Sequence, residues 1–181
     1  MERRKELIVG LGNPGKRYLL TRHNLGQRVI YAFAEKHHFS FNKEREIKGA
    51  IAQGIWEDKT LFLLFPMTYM NLSGSAVYRT IEYYGIAVAS TLVISDDIAL
   101  PFGECRFKNR GSSGGHKGLK SIETSLQTQD YPRLKLGVGE PLVGFLEDYV
   151  LAPFTQEEQE KLPEIIAHGV SFLEEWLSRE I

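Results

Sequence analysis

Four short apolar runs, Leu7 to Val9, Leu61 to Phe65, Leu92 to Ser95 and Leu134 to Val138, alternate with amphipathic segments, and this pattern limits the fold more than any other feature. Runs this short and this apolar read as strands buried on both faces. Between them, Leu25 to His37 sets Val29, Ile30, Phe33 and Ala34 on one helical face, and Leu72 to Tyr84 and Leu119 to Leu126 are patterned similarly. Strand and helix in alternation predict an α/β fold, a central twisted sheet, largely parallel, flanked by helices. Lys48 to Trp56 and Lys59 to Phe65 read as a hairpin closing at Glu57 and Asp58, which makes the sheet mixed. After Pro153, Gln156 to Glu180 predicts a long acidic helix with Pro163 as a place to bend and Ile165, Ile166, Phe172, Leu173 and Trp176 free to dock. With 181 residues, 43% of them hydrophobic, one core is the expectation, and residues 1–181 read as a single domain without repeat or linker.

No apolar run reaches the length of about eighteen residues that spans a bilayer, and Met1 to Lys5 leads into no signal-peptide pattern. A soluble, cytoplasmic protein with no membrane partner is the expectation. Cys105 is the only cysteine, which excludes an intramolecular disulfide, and the five histidines lack the paired-ligand spacing of a zinc site. Neither a metal nor another cofactor is expected. The net charge of −1 conceals a division along the chain. Residues 1–140 carry 20 Lys and Arg against 14 Asp and Glu, a net of +6, whereas 141–181 carry 2 against 9, a net of −7. Between Glu104 and Lys120, Arg106, Lys108, Arg110, Lys117 and Lys120 are interleaved with glycine, a pattern open either to a solvated charged loop or to a surface that phosphates can approach.

Two motifs spell chemistry that their context denies. Gly10, Gly12 and Gly15 match a dinucleotide fingerprint, but Lys16 to Asn24 is polar and broken, so no helix opens in the turn, and Glu35 lies inside a helix instead of ending a second strand. Gly111, Ser113 and Gly115 match a serine-nucleophile elbow, but Lys108, Asn109 and Arg110 separate them from the last apolar residue, Phe107. A triad there would have to enlist residues such as Asp148 and His168, and His168 falls within the acidic helix.

A third constellation is dispersed over the loops that follow the strands. It comprises Gly10 to Gly15 with Tyr18; Thr21, Arg22, His23 and Asn24; Pro66 through Gly74 with Tyr69 and Asn71; Ser95, Asp96 and Asp97; and Gly114, Gly115 and His116 ahead of Gly118, Leu119 and Lys120. In order, spacing and residue type these blocks resemble the bacterial peptidyl-tRNA hydrolase family, from Leu7 through Tyr149, Val150 and Leu151. The resemblance implies an esterase that frees tRNA from a stalled peptide, with peptidyl-tRNA as its partner through the acceptor end and the phosphate backbone. No obligate protein partner is implied, and a monomer is expected.

Ester hydrolysis near neutral pH needs a base, and histidine is the usual one. His23 stands just before a helix, where the positive end of the dipole favours the neutral ring. The resemblance makes Asp96 the carboxylate that fixes its tautomer, and it places Tyr18 and Tyr69 beside the tRNA end. Asn13 and Asn71 each offer an amide that can hold the peptide carbonyl or the attacking water. Arg106, Lys108, His116 and Lys117 complete the candidate substrate-binding set. Each has a plainer reading: His23, Thr21 or Asn24 as helix caps, Asn71 as the cap of the next helix, Asp96 as a strand-end turn residue. The sequence departs from the family at Lys117, where asparagine is common, at Lys135, where arginine is frequent, in the short loop Glu140 to Gly144, and in lacking a basic tail. The alternative is a non-catalytic RNA-binding relative, of the kind that acts in splicing in plant organelles.

Overall fold

A computed structural model describes residues 1–180. Its seven-stranded sheet runs in the order β2-β3-β4-β1-β5-β7-β6. The strands are β1 (Lys5–Gly10), β2 (Asn42–Glu44), β3 (Gly49–Trp56), β4 (Lys59–Pro66), β5 (Thr91–Asp97), β6 (Cys105–Lys108) and β7 (Arg133–Gly137). The neighbours β4, β1, β5 and β7 are parallel, while β2, β3 and β6 run antiparallel to the strands they join. The four expected apolar runs are the four parallel strands, buried on both faces by helices as all-parallel pairing requires.

The hairpin is β3–β4, with Trp56 opposite Lys59, so Glu57 and Asp58 form a two-residue turn. Glu57 takes a positive φ of 53°, as tight hairpin turns require. Helix α1 (Leu25–His37) has the expected bounds and ends on His38 in the left-handed region. Helix α2 (Ser73–Tyr84) follows a 3-10 turn at Met70–Leu72, α3 (Lys117–Leu126) begins two residues earlier than expected, and a short α4 spans Leu146–Val150. Helix α5 (Gln156–Leu177) stops short of Glu180 and continues through Pro163. A Thr155–Glu158 capping box starts it.

The sheet divides two apolar layers. On one side Ile8, Leu63, Leu92, Ile94 and Leu134 meet α1 and α5 through Val29, Ile30, Phe33, Leu173 and Trp176. On the other, Leu7, Val9, Phe62 and Val93 meet α2 and α3 through Val77, Ile81, Leu119 and Ile122. Residues adjacent along β1, β4 and β5 therefore alternate between two cores, which explains why these strands read as apolar runs, whereas in β7 Leu134 and Leu136 enter the first core and Arg133 and Lys135 stand on the other face. With the layers filled, the loops at the carboxyl ends of β1, β4 and β5 are left to build a site.

Candidate active site

Strand β5 delivers Asp96 to the edge of the core, where it is buried. His23 comes to it from a 3-10 turn, Arg22–Asn24, that joins the loop after β1 to α1. Its Nδ1 lies 3.0 and 2.9 Å from the two oxygens of Asp96. A second imidazole faces the same carboxylate: His116 Nε2 is 2.9 Å from Asp96 Oδ1, and the two rings are 4.8 Å apart between centroids. His116 is the N-cap of α3, its Nδ1 accepting from the backbone N–H groups of Gly118 and Leu119 at 3.1 and 3.3 Å. Because that nitrogen accepts, the ring's proton in the neutral form sits on Nε2, which donates to Asp96.

Burial alone would raise the Asp96 carboxyl, but the two facing imidazoles and their hydrogen bonds outweigh it and hold the group well below the usual carboxylate range. An ionised Asp96 accepts from His23 Nδ1–H. That leaves His23 Nε2 as the free acceptor, without a protein partner among the described residues.

Asn13, from the loop after β1, enters as a donor only. Its Oδ1 accepts from Met70 N at 2.7 Å, leaving the NH2 group for a ligand. Asn24 holds that geometry, since its amide accepts from Asn13 N and donates to Asn13 O, both at 2.9 Å. The clamp accounts for one fingerprint glycine, because a Cβ on Gly12 would lie 2.8 Å from Asn24 Cγ. Gly10 has a similar cause: a Cβ there would lie 2.7 Å from Gly26 O, where α1 crosses β1. The glycines serve close packing and an asparagine clamp, not a pyrophosphate. At the other motif, the Ser113 hydroxyl has no histidine partner among the described residues, and His168 is exposed on α5. Asn24 occupies the N-cap position of α1 but its side chain makes no cap bond, and the N-cap of α2 is Leu72, not Asn71.

The cleft around these groups has a volume of about 900 Å³. Asn13, His23, Asp96 and His116 form its floor, and Tyr18, Tyr69, Asn71, Arg106, Lys108 and Lys117 also line it. Folding thus brings every one of the ten sequence-derived candidates to one cavity. His23, Asp96 and His116 also place ligand-type atoms within 4.8 Å of one another, a closeness that no sequence spacing announces. The donor set does not suit a cation. His116 would have to offer Nε2, yet its Nδ1 already accepts two backbone N–H bonds and its proton therefore occupies Nε2.

The sequence model of the family described as peptidyl-tRNA hydrolase matches residues 7–181. The chain belongs to the peptidyl-tRNA hydrolase family. It is 46% identical to a peptidyl-tRNA hydrolase of Methylacidiphilum infernorum, over 93% of this chain and 89% of that protein. With the Chloroflexus aggregans peptidyl-tRNA hydrolase the identity is 47%, over 93% and 90%. The crystal structure of peptidyl-tRNA hydrolase from Acinetobacter baumannii superposes with a TM-score of 0.87 at 34% identity, covering 94% of this chain and 87% of that one. No helix among the described residues is long and apolar enough to cross a membrane.

Within that family frame the basic residues fall into distinct settings. Arg106 and Lys108 lie on the outward face of the edge strand β6, not in a loop, and Arg106 is loosely paired with Glu104 at 3.7 Å. Lys117 meets Glu147 of α4 across 3.2 Å. Lys135 is tied to Asp97 at 3.3 Å, while Asp97 also accepts from Ala99 N, as a turn residue would. Cys105 is half-buried, because β6 is an edge strand covered on one side. Sequence reasoning missed the wall formed by Leu146, Glu147, Val150 and Leu151, since their apolar, weakly patterned segment gives no helical stripe.

Proposed function

We propose that this chain hydrolyses the ester between a peptide and the 3′ end of tRNA, with His23 as the general base. The observation that carries the reading is the orientation of His23: Nδ1 is held by a buried carboxylate and Nε2 is left free at a cleft large enough for a nucleotide end and a peptide. Water bound to Nε2 gives up a proton as its oxygen attacks the ester carbonyl carbon, and the imidazolium that forms is stabilised by Asp96. The tetrahedral oxyanion collapses, the bond to the ribose oxygen breaks, and the proton passes from His23 to that leaving oxygen. The free NH2 of Asn13 donates to the peptide carbonyl or the developing oxyanion, a contribution of about 2.7–4 kcal/mol where such donors are preorganised. Asn71, at the rim, holds the adjoining peptide amide.

The exposed ring of Tyr69 and the half-buried ring of Tyr18 are placed to stack the terminal bases. Arg106, Lys108 and Lys117 meet phosphates, with His116 assisting at the floor through Asp96. The protein acts as a monomeric single domain in the cytoplasm, recycling tRNA without a protein partner or a metal. The relatives carry the hydrolase name, and a non-catalytic splicing relative would have no use for a base held against a carboxylate.

The test is ester loss from N-acetyl-aminoacyl-tRNA against free aminoacyl-tRNA, with a chelator present throughout. Turnover of the blocked substrate alone is the expected result. Equal turnover of both, or loss of activity with the chelator, contradicts the reading. Asn13→Ala should slow the blocked substrate by about 10²–10³-fold. An unchanged rate would leave Asn13 a scaffold residue.

A further inference from the structure

Arg22 stands next to the base in sequence, yet it is not among the residues lining the cleft. Its side chain is 6% exposed, and its Nη2 lies 2.8 Å from Glu158 Oε1. Nη1 donates to Tyr149 O at 3.1 Å, and the guanidinium carbon sits 4.0 Å over the Tyr149 ring. The backbone joins in: Arg22 N donates to Ala152 O at 3.1 Å, and Thr21 bridges to Pro153. Glu158 is doubly used, for Oε1 also accepts from Thr155 N at 2.9 Å in the capping box of α5.

The path does not end at Tyr149. Its hydroxyl donates to Val138 O at 2.6 Å, and Val138 N donates to Asp97 O at 3.0 Å. Asp97 adjoins Asp96, which holds His23. The base, its carboxylate and the α4 wall are therefore joined in one closed circuit, in which Arg22 is the charged side chain that ties the His23 turn to α4 and the start of α5. We propose that Arg22 is a positioning residue for the hydrolysis. It clamps α4 and the start of α5 to the turn that carries His23, and so fixes both the aim of Nε2 and the wall formed by Glu147, Val150 and Leu151.

Stability alone does not call for this arginine. A buried ion pair is often no better than apolar groups of the same volume. Here Arg22 Nε is also buried with no partner, which adds a cost. What the guanidinium supplies is a rigid fork that reaches a carboxylate and a carbonyl together while lying flat on a ring, and lysine cannot do that. The acidic carboxyl-terminal region thereby acquires a part in positioning the base, because Glu158 anchors the turn that carries it.

This proposal rests on the hydrolase reading, and wild-type turnover in the same assay tests that reading separately. Arg22→Lys and Glu158→Gln, in the full chain, are compared for kcat and KM on N-acetyl-aminoacyl-tRNA, for Kd with deacylated tRNA, and for Tm. Arg22→Lys should lower kcat by roughly 10–10²-fold, the scale of a misplacement of about 1 Å, with Kd for tRNA unchanged. Glu158→Gln keeps an oxygen for Thr155 N and should lower kcat in the same sense but less. A clasp that matters only for folding would lower Tm and leave kcat of the folded protein at the wild-type value. That outcome in a folded Arg22→Lys protein overturns the proposal, and if Arg22→Lys does not fold, the same outcome in Glu158→Gln does.

Discussion

Two carboxylates are buried on adjacent parallel strands, Asp96 near the end of β5 and Glu6 near the start of β1, so they occupy opposite ends of the sheet. Glu6 meets Arg4 at 3.1 Å and Arg179 at 3.2 Å, and Arg179 lies over the Trp176 ring. Asp96 meets two imidazoles at the same range of distance. The geometry is alike and the chemistry is not. Guanidinium keeps its proton at every pH a protein survives, so the Glu6 pair can only hold the last helix against the first strand. Imidazole exchanges its proton near neutrality, so the Asp96 site can move one. A buried carboxylate becomes part of a reactive centre through the acidity of its partners and the presence of a cleft beside them.

Removal of the base has the largest expected effect. His23→Ala should lower kcat by about 10²–10⁴-fold while tRNA affinity stays near wild type, because a general base acts in the transition state, and it should lower Tm as well, because it takes one partner from the buried Asp96 carboxylate. Turnover at the wild-type rate would end the mechanism. The two carboxylates can then be neutralised in parallel. Asp96→Asn should lower kcat by about 10–10²-fold, as loss of a partner that orients an imidazole does. Glu6→Gln should leave kcat alone and lower Tm. The destabilisation should be about 1 kcal/mol, near the lower end of the usual range, since both arginines can turn toward water. The reverse assignment, with kcat following Glu6, would undo the distinction.

Much of this contrast lies beyond sequence pattern. The parallel strands were legible because burial on two faces leaves no polar residue to interrupt Leu61 to Phe65 or Leu92 to Ile94. Helix α1 was legible to the residue because its stripe, Val29, Ile30, Phe33 and Ala34, is buried between the sheet and α5. Strand β2 is exposed throughout and carries no apolar signal, while α4 keeps Leu146 exposed and buries nothing. For the site, resemblance named His23 and Asp96, but their pairing across 73 positions is a product of sheet order. The place of His116 on the same carboxylate, and of Asn24 behind Asn13, depends on how two loops cross, which no local spacing encodes.

A smaller difference between the two carboxylates appears with pH. Folding lowers the Asp96 carboxyl, so its ionised form stabilises the fold at neutral pH, and that contribution is lost as acid carries the pH down through the lowered value. Denaturant midpoints of wild type and Asp96→Asn should stay separated down to about pH 4, the ordinary carboxylate region, and converge only in stronger acid. Convergence already at neutral pH would mean that the imidazoles do not hold Asp96 ionised. The smallest expected change is at the rim. Arg106→Ala or Lys108→Ala should reduce the salt dependence of tRNA binding by about 0.9 per duplex phosphate lost, or about 0.7 on a single strand, with kcat little altered. Slopes identical to wild type would place the tRNA elsewhere.

The mechanism turns on which nitrogen of each histidine carries the proton, and nitrogen-15 NMR of the imidazole rings reads that directly. In the neutral state His23 should show a protonated Nδ1 and a bare Nε2, His116 the opposite pattern, and Asp96→Asn should disturb both. A His23 protonated at Nε2, with Nδ1 bare against Asp96, would contradict the assignment of His23 as the base.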